Sequence, residues 1–346
     1  MTIPHHCASL ALCAAASLCA VTLTATAQTP PATPVARTSP PPLAHMATLD
    51  YRLQPRSIAP GVWVIEGAVD DFSRQNGCNI INTGFIATPE GSWVVNTGPS
   101  FIYGQQQRRA MQAAGVETGA GKVQQVLNLN LHPDYFFGNQ AWADVPTRAL
   151  AGSIAGMQAE GGAYADNLYT LSGDWMKDST STPARQPIAP GSFNLGQHRL
   201  ELVRYHGHTA DDLVLIDHSS GVVFAGGLVF AERIPTTPHA DLPAWLASLD
   251  ALEAKLNTVT LKALVPSHGP VYPDLRGLHQ TRDYLRWLDR SLSDSAAAGL
   301  DMYEVLATPL PQRFRGWAAA ATEYARNATH LYPRYEQRAL SAQKGV

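Results

Sequence analysis

Short apolar runs bounded by turn residues recur along this chain from about residue 60, the pattern of sheet strands. Val62-Trp63-Val64-Ile65 follows the turn Pro60-Gly61; runs at 79–86 and 92–96 come next, the second after Glu90-Gly91. Residues 103–114 carry polar, helix-favouring side chains, and Val123-Gln124-Gln125-Val126-Leu127 predicts a strand that delivers the chain to Asn130 and His132. A helical stretch at 153–175 precedes strands at 198–203, 212–216 and 222–225, the last two a hairpin about Ser219-Ser220-Gly221. Leu242, Trp245, Leu246, Leu249 and Leu252 stand at helical spacing and mark a helix over 242–256. Ala263-Leu264-Val265-Pro266 is a last strand ending at His268, and beyond Asp274 the chain reads as helical, broken at Pro309-Leu310-Pro311. Strand-rich halves that alternate twice with helices predict two sheets covered by helices, an α/β layered domain. No repeat of 20–50 residues is visible.

The beginning of the chain departs from this pattern. Residues 8–23 are an uncharged Ala/Leu-rich stretch, shorter than the ~20 residues of a comfortable membrane span. It ends in Ala25-Thr26-Ala27, a small-x-small cleavage pattern, so residues 1–27 read as a secretory signal peptide. His5 and His6 stand where Lys or Arg is usual, and the competing reading is an uncleaved anchor. Residues 28–49 form a proline-rich spacer, which favours polyproline II and cannot build a core, and the folded domain runs over 50–346. The expected location is periplasmic or secreted, with no stable membrane span once the leader is cut. Cys7, Cys13 and Cys19 leave with the leader, so Cys78 remains without a disulfide partner. A net charge of −3 and the lack of any Lys/Arg run exclude nucleic acid as an expected partner.

Four segments carry candidate chemistry: 128–139, with Asn130, His132, Asp134 and Tyr135; Gly207-His208-Thr209-Ala210-Asp211-Asp212; Phe224-Ala225-Gly226-Gly227; and Ser267-His268-Gly269. In this order, each after a β-type run, they resemble the metallo-β-lactamase superfamily: His-x-His-x-Asp-His, then Gly-His-Thr, then an Asp or Cys at a strand end, then Gly-His-Gly. The resemblance implies a four-layer αββα sandwich and a zinc-dependent hydrolase. It places His132 and His208 on a first metal and Asp134 and His268 on a second. Asn130 stands where the first metal's other His belongs, Tyr135 replaces a His of the second, and Gly227 replaces the Asp or Cys; these three are at best weak or substituted ligands. Asn96 replaces a supporting Asp. A narrower resemblance runs through 76–85, Asn96-Thr97-Gly98-Pro99, 230–245 and the tail from Ala307 to Pro333, and points to quinoprotein-relay-type zinc metallohydrolases. It implies a periplasmic quinoprotein dehydrogenase as a partner.

Such a site needs neutral imidazoles and carboxylates about a metal that keeps one position for water. With each metal keeping two firm ligands, one zinc at most is expected, held by His132, His208 and His268 with Asp134 as catalytic base. His206 is an alternative ligand if its segment is a loop. The expected function is hydrolysis of a small-molecule ester, thioester or lactam. The alternative is a catalytically impaired member of the fold serving as a binding or accessory protein of a quinoprotein system. A β-lactamase in the strict sense wants a Cys where Gly227 stands. Thr209 and Asp212 read as fixing the loop around His208, Asn139 as a helix N-cap, Cys78 as a buried small residue, and His206, His218, His239 and His279 as surface histidines.

Overall fold

A computed structural model of the protein describes residues 45–344; the expected leader and nearly all of the expected spacer lie outside the described residues. Met46–Thr48 form a 3₁₀ turn, and the carbonyl of Leu49 just after it accepts from the Gln106 side chain at 2.7 Å.

The first sheet orders β1 (Arg56–Ala59), β2 (Val62–Ile65), β3 (Thr83–Thr88), β4 (Gly91–Val95), β5 (Val123–Leu127), β6 (Thr147–Ala149) and β7 (Gln186–Pro187). The pairings β1 to β4 are antiparallel and those from β4 onward parallel. The second sheet orders β12 (Ala263–Val265), β11 (Val222–Phe224), β10 (Asp212–Asp217), β9 (His198–Tyr205) and β8 (Gly191–Leu195), with only β11 and β12 parallel.

Period-2 alternation in the strands produces two packed faces per sheet. Val62, Val64, Ile86, Val95 and Leu127 of the first sheet meet Leu200, Leu202, Leu213, Leu215 and Phe224 of the second in one buried layer. On the other side of the first sheet, Phe85, Val94 and Val126 pack on Met111 of α1 (Phe101–Ala113). On the far side of the second, Val214, Ile216 and Val223 pack on α4 (Leu242–Leu256) and α5 (Arg276–Ala297) through Trp245, Leu249 and Leu285, with Leu331 of α8 (Ala320–Lys344) behind. Helix, sheet, sheet, helix: the four-layer expectation holds.

Local differences have local causes. Residues 79–82 leave the strand because Asn82 is drawn to the far end of the fold: its Nδ2 donates to the carbonyls of Pro266 and Gly269, and its N–H to Ser267. Asn139 is no N-cap; it lies inside a 3₁₀ turn, its amide exchanging bonds with Asn128 and accepting from Thr97. The tail breaks where Pro309–Pro311 part α6 (Met302–Ala307) from α7 (Gln312–Arg315). Among the described residues no helix is long and apolar enough to cross a membrane.

Candidate functional site

Strand β5 ends at Leu127, and the chain turns through 128–132 into the single helical turn α2 (Pro133–Phe136). Side-chain amides hold this loop. Leu129 N–H donates to Asn96 Oδ1 at 3.0 Å, Asn128 Nδ2 to the Tyr135 carbonyl at 2.8 Å, and His132 N–H to Asn130 Oδ1 at 3.0 Å. Asn96 carries a positive φ of 57°, a conformation Asn tolerates better than most residues.

The Asn130 amide is fully engaged. Its oxygen accepts from His132 N–H, and its nitrogen donates to Asp212 Oδ1 at 2.6 Å and Thr209 Oγ1 at 3.2 Å. Asp212, fully buried, also accepts from Thr209 N–H at 2.8 Å and from His208 Nδ1 at 2.9 Å. A carboxylate only accepts, so Nδ1 of His208 carries the ring proton. The 3.4 Å approach of Asn130 Nδ2 to that same nitrogen is donor against donor, both aimed at one carboxylate oxygen. The loop-fixing role expected of Thr209 and Asp212 is present, but its larger product is the tautomer of His208: Nε2 keeps the lone pair and is buried without a partner.

Gly227 lies against this ring. A Cβ there would stand 2.0 Å from His208 Nδ1 and 2.3 Å from Cε1. The imidazole thus fills the space that the family's Asp or Cys side chain would need.

His268, at the end of β12, donates through Nδ1 to the Ile80 carbonyl at 2.9 Å, and its Nε2 lies 3.5 Å from Asp134 Oδ2, too long for a strong hydrogen bond. Asp134 is buried and that oxygen has no hydrogen-bond partner. Burial pushes its carboxyl up to about 7, against the opposing pull of its own backbone N–H and of Arg233. Burial, then the neighbouring His208, His239 and His268, hold His132 well below the usual imidazole range; burial and Arg233 do the same to His268. Both rings are neutral at physiological pH.

Outside the motif segments one residue meets the cluster directly and one buried charge bears on it without contact. His239 Nδ1 faces His132 Nε2 at 3.1 Å, and its Nε2 meets Glu160 at 3.0 Å. His239 is therefore not a free surface histidine; β-type and helical periodicity carry no signal for a loop residue 107 positions from its partner. Arg233 is fully buried, its guanidinium bound to the carbonyls of Asp70 and Ile234 and to Glu323 of α8 at 3.2 Å. His206, by contrast, is exposed on the strand end and stays out of the cluster. Tyr135 packs in the layer between the sheets; burial and Asp134 raise its hydroxyl well above the usual phenol value, so it offers no phenolate. An open cleft of about 540 Å³ elsewhere, lined by Arg276, Asp283, Arg313 and Trp317, includes none of the cluster residues.

Two ions do not fit these residues. Asn130's oxygen is spent, Tyr135 stays a buried phenol, and Gly227's side-chain space is taken. Among the described residues no three His, Cys, Asp or Glu side chains already converge on one point as an ion requires. The chemistry of the donors that remain suits a single ion after a side-chain shift. They are imidazoles with one nitrogen tied to an acceptor, beside the unpartnered buried His208 Nε2 and Asp134 Oδ2.

A family model for the metallo-beta-lactamase superfamily matches residues 76–268, a span that runs from the loop before β3 to His268. No curated protein sequence matches the chain. Among solved structures, a metallo-beta-lactamase from Pontibacter korlensis superposes with a TM-score of 0.53 at 22% identity, over 68% of this chain and 99% of that one. TMB-1 gives 0.51 at 19% identity, over 68% and 98%. FIM-1 from Pseudomonas aeruginosa, solved in a mono-zinc form, gives 0.50 at 19% identity, over 68% and 95%. At these identities the neighbours speak for the fold alone, and with the family match over more than half its length the chain belongs to the metallo-β-lactamase superfamily.

Proposed function

We propose that this protein is a hydrolase of a small-molecule ester, thioester or lactam that works with one metal ion, zinc by the chemistry of its donors. His132, His208 and His268 hold the ion, and Asp134 is the catalytic base. The observation that carries this reading is the buried, unpartnered Nε2 of His208, its other nitrogen fixed by buried Asp212. An outer carboxylate on the far nitrogen is how proteins orient a metal-ligating imidazole. A bound ion would bring the pKa of a water to about 7, making hydroxide available at neutral pH. Asp134, buried with Oδ2 unpartnered and 3.5 Å from His268 Nε2, is the carboxylate placed to take and return a proton there. The leader and the narrower resemblance support export and a place beside a periplasmic quinoprotein dehydrogenase.

Elemental analysis of the purified protein, paired with a panel of ester, thioester and lactam substrates, tests this. Stoichiometry near one and turnover lost in His208→Ala are expected. A metal-free protein that stays inert with added Zn²⁺ sinks the proposal.

One observation favours a second reading, an accessory or binding module without turnover: the His208 ring occupies the space of the lost side chain at Gly227. Hydrolysis by the unmodified protein above the His208→Ala background rules that reading out.

A further inference from the structure

The Glu160–His239 pair is used by neither the sequence motifs nor the chemistry above, yet it is the polar contact made by His132's outer nitrogen. Glu160 lies on α3 (Ala151–Ser172), and His239 in the loop before α4, so the pair joins two elements that share no motif residue. Glu160 is itself held: Tyr164, one turn on, donates to its Oε2 at 2.6 Å. A carboxylate only accepts, so the Nε2 of His239 that meets Glu160 at 3.0 and 3.1 Å is the protonated nitrogen. In neutral His239 this leaves the lone pair on Nδ1. That lone pair faces His132 Nε2 at 3.1 Å, so Nε2 of His132 is the donor and its Nδ1 keeps a lone pair.

We infer that Glu160 and His239 are positioning residues that fix the tautomer of His132, leaving its Nδ1 as the nitrogen available to a ligand. This inference rests on the one-metal reading and deepens it. The three imidazoles of the cluster then obey one rule. His208 donates through Nδ1 to Asp212, His268 through Nδ1 to the Ile80 carbonyl, and His132 through Nε2 to His239, which passes the polarisation on to Glu160. Each ring has one nitrogen fixed by an acceptor and one lone pair free. At His132 the acceptor is a relay of two residues, His239 backed by Glu160. Unlike Asp212, the relay reaches water: the His239 and Glu160 side chains are 30% and 35% exposed and stand outside the apolar core clusters.

The test has two arms on the full protein. The first uses metal-free protein labelled with ¹⁵N-histidine and long-range ¹H–¹⁵N correlation spectra. His132 is expected as the Nε2–H tautomer in the parent and as a mixture in His239→Ala and Glu160→Ala, with His239→Gln, whose amide oxygen can still accept, restoring it in part. The second titrates Co²⁺ and competes it with Zn²⁺; His239→Ala and Glu160→Ala should each bind 10- to 100-fold more weakly, the usual penalty for removing an outer-shell partner. Finding His132 as Nδ1–H in the parent, or finding tautomer and metal affinity both unmoved in His239→Ala, overturns the inference. If the parent binds no metal while the tautomer shift is seen, the one-metal reading fails and the hydrogen-bond assignment does not.

Discussion

Gly227→Ala asks how firmly His208 is held in the space its neighbour leaves. The added methyl would stand 2.0 Å from Nδ1, where ordinary contact begins near 3.4 Å, so the ring must retreat by well over an ångström. It has little room: Trp245 and His132 lie 4.9 and 4.8 Å away by ring centroid, Phe230 at 5.8 Å. Overpacking of this kind costs about 1–3 kcal/mol. The retreat also breaks the 2.9 Å bond to buried Asp212, a charged hydrogen bond contributing about 1.5–3 kcal/mol. The expected loss is therefore about 3–5 kcal/mol, a large part of the roughly 5–15 kcal/mol by which a domain is stable. Chemical denaturation of Gly227→Ala, His208→Ala and the double variant measures it. In the His208→Ala background the same substitution should cost less than about 1 kcal/mol, because the ring it strikes is gone, giving a coupling of about 2–4 kcal/mol. A loss below about 1 kcal/mol in the parent, or an equal loss in both backgrounds, refutes the reasoning. The same geometry means that an Asp at 227 displaces His208 before it can act as a ligand.

Other outcomes follow from the same contacts. Asn130→Ala removes donors from Asp212 and the acceptor of His132 N–H, and should lower stability by about 2–4 kcal/mol in thermal or urea unfolding. Arg233→Met leaves Glu323 buried with only Arg326 to answer it, and a loss approaching the 3–5 kcal/mol of a broken buried pair is expected, read by the same assay. The His279 bond to Glu253, and the Arg108 bond to Asp144, hold those carboxyls below the usual range. Their folded pKa values are depressed, so their contribution is present above the unfolded value near pH 4 and lost as pH falls through the folded one; unfolding midpoints should drop below about pH 4, and less so in Arg108→Gln. Burial pushes the Cys78 thiol up to about 12, so a thiol reagent should leave Cys78 unmodified in the native protein and label it in denaturant. The proposed export predicts cleavage before Gln28, read by mass analysis of protein recovered from a secreting host.

The layered fold is legible from local signals, period-2 apolar runs and glycine and proline turns, while His132, Asp134, His208 and His268 stand out through the resemblance of their ordered segments to the superfamily's pattern. Asn130, Tyr135 and Gly227 could be seen to depart from the family pattern in the same way, by type and place in order. What the chain does with those departures is a matter of long-range packing. Asn130's amide could have turned its oxygen toward the cluster; the buried Asp212 carboxylate takes its nitrogen instead, because a carboxylate accepts only from a donor. Gly227 could have left a void; His208 fills it, because interiors are packed to near-crystal density. His239 meets His132 across 107 residues of chain and Glu160 meets His239 across 79, separations at which no periodicity survives. Sequence alone determines which residue types stand at the strand ends, since that is set by local pattern. Only the tertiary structure decides which of their nitrogens and oxygens remain free, since each donor is claimed by whichever acceptor the fold brings nearest.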